Sequence, residues 1–465
     1  ITDSVRVLGE DHRDTLTMRN NLAGAYHAAG RLTEAIVQFK QVIIDRARVL
    51  GEDHPDTLTS RHNLADTYRK AGRTGEAIAL YEQVATGRAR VLGPNYPDTL
   101  TSRHNLANIY RSVGRLDEAI TLYENLLPNH IRVLGADHPD TLTFRHNLAG
   151  AYVHASRFDK AITLYEQVAT DSVRVLGEDH RDTLTMHENL ADTYVKAGRF
   201  DKAIALYEQV ITDRARVLGE YHPDTLTSRH NLAGAYVHAS RFDKAIALYE
   251  QVATDRIRIL GEDHPNTLAS LNNLAGAHHA AGRLNEAIAL YEQVLPDSTR
   301  ILGEDHPDTL TSRCNLAGAY HAAGRLTEAI ALYEQVLPDR IRVLGEYHPD
   351  TLASRNNLAG AYHAAGRLTE AIALFEQVLP DRIRVLGEDH PDTLTSRNNL
   401  AGAYHAAGRL TEAITLYEQV TKDCARILGE DHPLTKTVRD NLKAAQHKLA
   451  QQKGESSTEE SAAQD

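Results

Sequence analysis

Glycine returns every 42 residues along this chain, at Gly9, Gly51, Gly93, Gly135, Gly177, Gly219, Gly261, Gly303, Gly345, Gly387 and Gly429, without one insertion or deletion. These marks define ten full units and the start of an eleventh. A fixed period of about 20–50 residues signals a solenoid, a propeller or an array. The length of 465 residues would otherwise suggest about three ordinary domains. Repetition overrides that prior, because each unit of such a body touches only its neighbours. The function is expected in what the repeated surface holds.

The unit from Gly51 to Leu92 illustrates the physics. Gly51 suits a left-handed residue ending the preceding helix. The run Asp53-His54-Pro55-Asp56 marks a helix start, with proline at the first helical position and a carboxylate near the positive end of the dipole. Leu58, Leu64, Ala65 and Tyr68 then share one face at helical spacing, and Gly72 stops the helix. Ala77, Ile78, Tyr81 and Val84 begin a second amphipathic helix. Two such helices joined by a short loop form an antiparallel hairpin whose apolar face is buried only by stacking. Ala65 and Ala77 allow close approach, while Tyr68 and Tyr81 supply bulk.

The order Leu64-Ala65, Tyr68, Ala77, Tyr81 resembles the tetratricopeptide repeat (TPR), and it recurs in all ten units with one first-helix aromatic replaced by His278. The usual repeat has about 34 residues. The additional residues follow Val84 and lengthen the second helix by about two turns, roughly 12 Å. With its "DHPDT" and "NLA..Y" motifs, the unit is similar to the repeats of kinesin light chains and of bacterial relatives. The resemblance implies an all-α fold: a right-handed superhelical solenoid of stacked antiparallel helix pairs. The expected organisation is the end of a preceding helix at 1–8, ten units over 9–428, a capping helix at 429–453, and a disordered acidic tail at 454–465. Pro128, Pro296, Pro338 and Pro380 fall inside the long second helix, where a kink or break is expected.

The formal net charge of -12, from 51 basic and 63 acidic residues, argues against a general binder of nucleic acid or anionic membranes. Cys314 and Cys424 occupy different places in their units, which argues against a disulfide framework and fits a reducing, cytoplasmic compartment. No apolar run reaches the roughly 18 residues of a membrane span. The stretch Ile1–Gly9 matches Ile211–Gly219, so further sequence is expected upstream.

By resemblance, the first helices line a concave groove, and the residue before the core leucine faces it. That residue is always asparagine: Asn21, Asn63, Asn105, Asn147, Asn189, Asn231, Asn273, Asn315, Asn357, Asn399 and Asn441. An amide offers two donors and an acceptor, which suits the backbone of an extended peptide; the alternative is that each bonds the neighbouring repeat. The preceding position varies and includes His62, His104, His146 and His230. Arg69, Lys70 and Arg111 near the ends of first helices form a candidate patch for an acidic partner segment. Adjacent units such as those from Gly303 and Gly345 differ at only four positions, so the groove is uniform in the C-terminal half. Threonine or alanine and histidine or asparagine stand where a carboxylate-clamp TPR carries lysines, so chaperone C-termini are not the expected ligand.

Histidines repeated at the spacing of packed helices, about 10 Å, cannot share a zinc ion whose ligands sit about 2 Å away. No metal or cofactor is expected, and a pH-dependent groove fits histidine better. No phosphate loop, nucleophile elbow or Cys-x-x-Cys appears. An active site needs a unique constellation, which near-copies do not supply. The leading expectation is a non-catalytic scaffold binding a protein or extended peptide. Two others stand beside it: the regulatory arm of a larger bacterial nucleotide-switch protein, and a self-assembling array stacked through its repeat ends.

Overall fold

A computed structural model describes residues 2–430 and 432–462, with side chains described for 5–430 and 432–452. The described residues form 22 α-helices and no strands. They divide into two compact units, Ile1–Ala239 and Ser240–Asp465.

In the first unit, α1 is Thr2–Leu8, α2 Arg13–Ala28, α3 Leu32–Leu50, α4 Pro55–Lys70, α5 Thr74–Val91 and α6 Pro97–Ser112. Then come α7 Leu116–Leu134, α8 Pro139–His154, α9 Phe158–Leu176, α10 Arg181–Lys196, α11 Phe200–Leu218 and α12 Pro223–His238. In the second unit, α13 is Phe242–Leu260, α14 Pro265–Ala280, α15 Leu284–Leu302, α16 Pro307–Ala322 and α17 Leu326–Leu344. The chain closes with α18 Pro349–Ala364, α19 Leu368–Leu386, α20 Pro391–Ala406, α21 Leu410–Ile427 and α22 Pro433–Ala462.

Local chemistry explains the strict period. Gly51 adopts φ 104° and ψ 156°, a region essentially reserved for glycine rather than the expected left-handed helical one. His54 is the N-cap: its Nδ1 accepts from the Asp56 amide at 3.1 Å, while Pro55 takes the first helical position. Thr57 is buried and donates back to the Gly51 carbonyl at 2.9 Å. Glycine, histidine, proline and threonine of the motif thus each hold one part of the turn. Inside the hairpin, the Gly72 amide donates to Arg69 O at 3.1 Å and the Arg73 amide to Tyr68 O at 2.9 Å, a Schellman ending. Ser156 keeps this geometry at φ 56°, without glycine's freedom.

Gly135 repeats the Gly51 conformation with φ 98° and ψ 155°. Gly135→Ala is expected to destabilise the α7–α8 turn by about 1–3 kcal/mol, because a Cβ makes that backbone region strained. Amide exchange at the two helix ends checks this; protection equal to the parent's would show that the turn relaxes without strain.

Packing interlocks neighbours. Ala23, Ala35, Phe39, Leu64, Ala65, Tyr68, Ala77, Tyr81 and Leu106, drawn from α2 through α6, belong to one buried cluster. Burying a side chain of this size contributes about 1.5–3 kcal/mol against its ordering entropy. No hairpin is therefore stable alone.

Of the expected kink or break at the prolines, the break does not occur. Pro128, Pro296, Pro338 and Pro380 lie inside the uninterrupted helices α7, α15, α17 and α19. Each ring faces solvent, while the helix is pinned two residues before and after, for example by buried Leu126 and His130 or Val336 and Arg340. Anchoring on both sides offsets the roughly 3 kcal/mol that an internal proline costs. The last helix also differs from expectation. Its backbone continues past Gly454 to Ala462, since glutamate and alanine propagate a helix readily once nucleated. Residues 463–465 of the expected tail lie outside the described residues.

Candidate functional site

First helices of adjacent repeats touch one another directly: α2 with α4, α6 with α8 and α10 with α12 in the first unit. In the second unit α14 meets α16, α16 meets α18, α18 meets α20, and α20 meets α22. Successive second helices within each unit stay further apart among the described residues. The first-helix side is therefore the inner side of the stack.

The asparagines lie on this side but are partly spent on neighbours. Asn105 Nδ2 donates to His62 Nε2 at 3.3 Å, Asn147 to His104 at 3.3 Å, and Asn189 to His146 at 3.2 Å. Asn231 donates to Glu188 at 3.3 Å, and Asn441 to Asn398 at 3.2 Å. Each acceptor stands one repeat back. Asn21, Asn273 and Asn357 are exposed; Asn63, Asn315 and Asn399 are half-buried, as is His230 on α12.

An amide can only donate through Nδ2, so these imidazoles must accept and hence be neutral. Burial agrees: it pushes His62 and His104 down to about 4, helped by the neighbouring Arg88 and His130 respectively. His146 is lowered by burial and then by Arg111. These three imidazoles are therefore neutral near pH 7, and the expected pH dependence of the groove does not come from them.

A polar box sits behind the asparagines at most junctions. An arginine from a second helix reaches into the next repeat. Arg46 Nη1 donates to Ser60 Oγ and Asp56 O, both at 2.8 Å. Arg88 does so to Ser102 and Asp98 O, Arg214 to Ser228 and Asp224 O, and Arg340 to Ser354 and Asp350 O. Arg214 alone among these also meets a carboxylate, Glu188, at 2.7 Å. Sequence reading missed these buried arginines. The signal was present, because arginine and a serine 14 residues later recur together along the chain.

The three basic candidates have separate fates. Arg69 pairs with Asp66 on its own helix, at 2.6 Å and 3.0 Å. Lys70 Nζ donates to the His27 carbonyl at 3.2 Å. Arg111 has no carboxylate within ion-pair reach among the described residues, and its Nε is buried without a hydrogen-bond partner. It lies in a cavity of about 230 Å³ shared by three successive first helices. His146, Asn147 and His154 come to this cavity from α8, and Asn189, Asp192 and Lys196 from α10. Tyr165 of α9 lies beneath, its phenol pushed up to about 12 by burial. Gly150 lines the cavity as well, and a Cβ there would make ordinary contact with the Arg111 guanidinium at 3.6 Å and the Tyr165 hydroxyl at 3.4 Å. Asp192 is the only carboxylate of the lining, against Arg111 and Lys196, and its hydroxyl donor is Tyr207. Lys196 and Asp192 recur three units earlier as Lys70 and Asp66, and only the stacking of α8 on α10 shows that this copy of the pair faces Arg111.

The lining thus offers amides, two cations and an aromatic edge, which suits binding rather than bond-making. Among the described residues no group of histidine, cysteine, aspartate or glutamate is arranged to hold a metal. Both cysteines are buried free thiols. No helix is long and apolar enough to cross a membrane among the described residues.

Stacked helix hairpins with a polar inner face define a repeat protein of the binding-module class. The chain belongs to the tetratricopeptide repeat family, matched over residues 14–90, 75–128, 98–172, 146–214, 182–256, 238–299, 271–340, 315–382 and 350–424. Members of this family generally act in protein–protein interaction. Comparison with curated proteins gave no match. Among solved structures, one similar chain is the nearly identical TPR-like repeats of a provisionally named kinesin light chain from Podosopora anserina, at 40% identity. That match covers 44% of this chain and 97% of the other, with a TM-score of 0.40. Another is BtubC (BKLC) from P. vanneervenii, at 21% identity over 54% of this chain and 94% of that one, with a TM-score of 0.39.

Proposed function

We propose that this protein is a non-catalytic scaffold that holds an extended, acidic segment of a partner protein along its inner face. The anchor is the cavity of Arg111, Asn147, Asn189 and Lys196. The observation that carries the reading is Arg111, a half-buried guanidinium with an unsatisfied Nε and no carboxylate of its own. A carboxylate entering the cavity meets the Arg111 guanidinium and the Lys196 ammonium at once, and charge-assisted bonds are the strong ones. The asparagines flank this point on α8 and α10, where their remaining acceptor and donor capacity fits a peptide backbone.

The test is a peptide display screen against the parent and the Arg111→Glu variant, with helicity checked by circular dichroism. The parent is expected to enrich acidic peptides. Charge reversal should weaken them by about 10–100-fold, since each factor of ten is about 1.4 kcal/mol. Affinity should also fall with salt. A folded Arg111→Glu variant that selects the same peptides would sink the reading.

A further inference from the structure

Six junctions of this array place a guanidinium in the same spot. Arg46, Arg88, Arg214, Arg256, Arg340 and Arg382 each donate through Nη1 to a serine hydroxyl and to a first-turn carbonyl of the following first helix. In three of them Nη2 also reaches a threonine on the preceding first helix: Thr17, Thr59 and Thr311, at 3.3, 3.3 and 3.1 Å.

The arginine is replaced by Ser172, Ser298 and Cys424 at three junctions and by an imidazole ring at the junction between α7 and α8. At this last junction the arginine is His130 and the serine is Phe144. The imidazole is shorter, and it stacks on the Phe144 ring with centroids 4.1 Å apart and planes 27° apart. Beyond it lies a cavity of about 290 Å³, bounded by Leu100, Thr101, His104, His130, Asp140 and Thr143. Thr101 and Asp140 occupy the repeat positions of Thr59, whose hydroxyl, and Asp98, whose backbone carbonyl, accept from the Arg88 guanidinium one repeat earlier, and Asp140 adds its carboxylate at the cavity wall. The cavity therefore keeps two of the acceptor positions and lacks the cation. Pro97 and Thr143 at its edge are exposed, so it opens to solvent. Burial keeps both imidazoles neutral at pH 7, leaving the Asp140 carboxylate as the one formal charge on the wall.

We propose that this cavity binds an external guanidinium group, in the place that six other junctions fill with their own arginine. The planar cation would donate to Thr101 and Asp140 and lie against the rings of His104 and His130. Its source is either an arginine side chain of a partner polypeptide or a free small guanidino compound. The site is separate from the Arg111 cavity and does not depend on it.

Titration calorimetry with methylguanidinium chloride at pH 7 tests this, with tetramethylammonium as the cation lacking donors. The parent is expected to bind methylguanidinium saturably with a Kd of about 1 mM, the order suited to so few heavy atoms. Tetramethylammonium should give no saturable heat. Asp140→Asn should weaken binding about tenfold or more. The double variant His130→Arg with Phe144→Ser rebuilds the arrangement of the other six junctions, so it should fold and lose binding. No saturable heat with the parent, or equal binding by the double variant, overturns the proposal. A blocked arginine-containing peptide that binds more tightly than agmatine assigns the site to a polypeptide; the reverse order assigns it to a small compound.

Discussion

Arg214→Ala is expected to destabilise the α10–α12 junction by about 3–5 kcal/mol, more than any other single truncation on the inner side, because it leaves a buried carboxylate without its cation. The Arg214 and Glu188 side chains are 7% and 13% exposed and meet at 2.7 Å. Ser228 and Asn231 also donate to Glu188, at 3.1 and 3.3 Å. These neutral donors cannot replace a charge. Burial already holds the Glu188 carboxyl above its ordinary value even with arginine present. In the variant it should rise further. An acid whose folded pKa is raised loses stability as pH climbs past its unfolded value, so the defect should be larger at pH 7 than at pH 4.5.

The chain supplies its own control. Asn20 occupies the Glu188 position at the Arg46 junction, where Ser60 donates to it at 2.9 Å. Glu188→Asn should therefore cost no more than about 1 kcal/mol. The double variant Glu188→Asn with Arg214→Ala should recover much of the single-variant loss, a coupling of about 2 kcal/mol or more. Units of a stacked array open locally, so the effect belongs in amide exchange of α10 through α12 rather than in one global melting curve. If Arg214→Ala costs under about 1 kcal/mol, or if the double variant is no better than the single, the pair is not the anchor described here.

What sequence reading reached and missed follows from the distance over which each feature is decided. The turn motif is decided within about seven residues, so Gly51, Pro55 and Gly72 could be placed as turn and cap residues directly. The hairpin stripe of Leu64, Ala65, Tyr68, Ala77 and Tyr81 is decided within one unit and was equally legible. The expectation of a break at the prolines failed because propensity is local, whereas Pro128 is held by what Leu126 and His130 pack against. The arginine box needed separations of 14, 29 and 40 residues at once, as between Arg46, Ser60, Thr17 and Asn20. Only stacking reveals that such an arginine is buried; in the sequence it reads as a solvated charge near a helix end. Arg111 was visible as a departure from its repeat equivalents. Its isolation from carboxylates follows in part from Asn108, which stands where Asp66 serves Arg69, and in part from which repeats stack against it, which only the fold shows.

Acid should loosen the N-terminal half of the array as pH falls from about 6.5 towards 4, beginning before its carboxylates are neutralised. His62 and His104 are each pushed down to about 4 by burial. The unfolded chain takes up protons as pH falls below about 6.5, while the folded chain does not until about 4. The folded state therefore binds fewer protons throughout that window, and stability falls as pH falls. The slope is about 1.4 kcal/mol per pH unit for each histidine, so each contributes up to about 3 kcal/mol over the window. Protonation acts on named contacts. The charged imidazole can no longer accept from Asn105 or Asn147, and at His62 it stands beside the Arg88 cation. His62→Asn places at that position the residue that Asn20, Asn356 and Asn398 provide elsewhere. It should flatten the pH dependence of exchange in α4 and α6 by close to one proton, while stability at pH 7 changes little. An unchanged slope in this variant would mean that the folded protein protonates His62 as readily as the unfolded chain does, and burial would then not hold this imidazole neutral through the window.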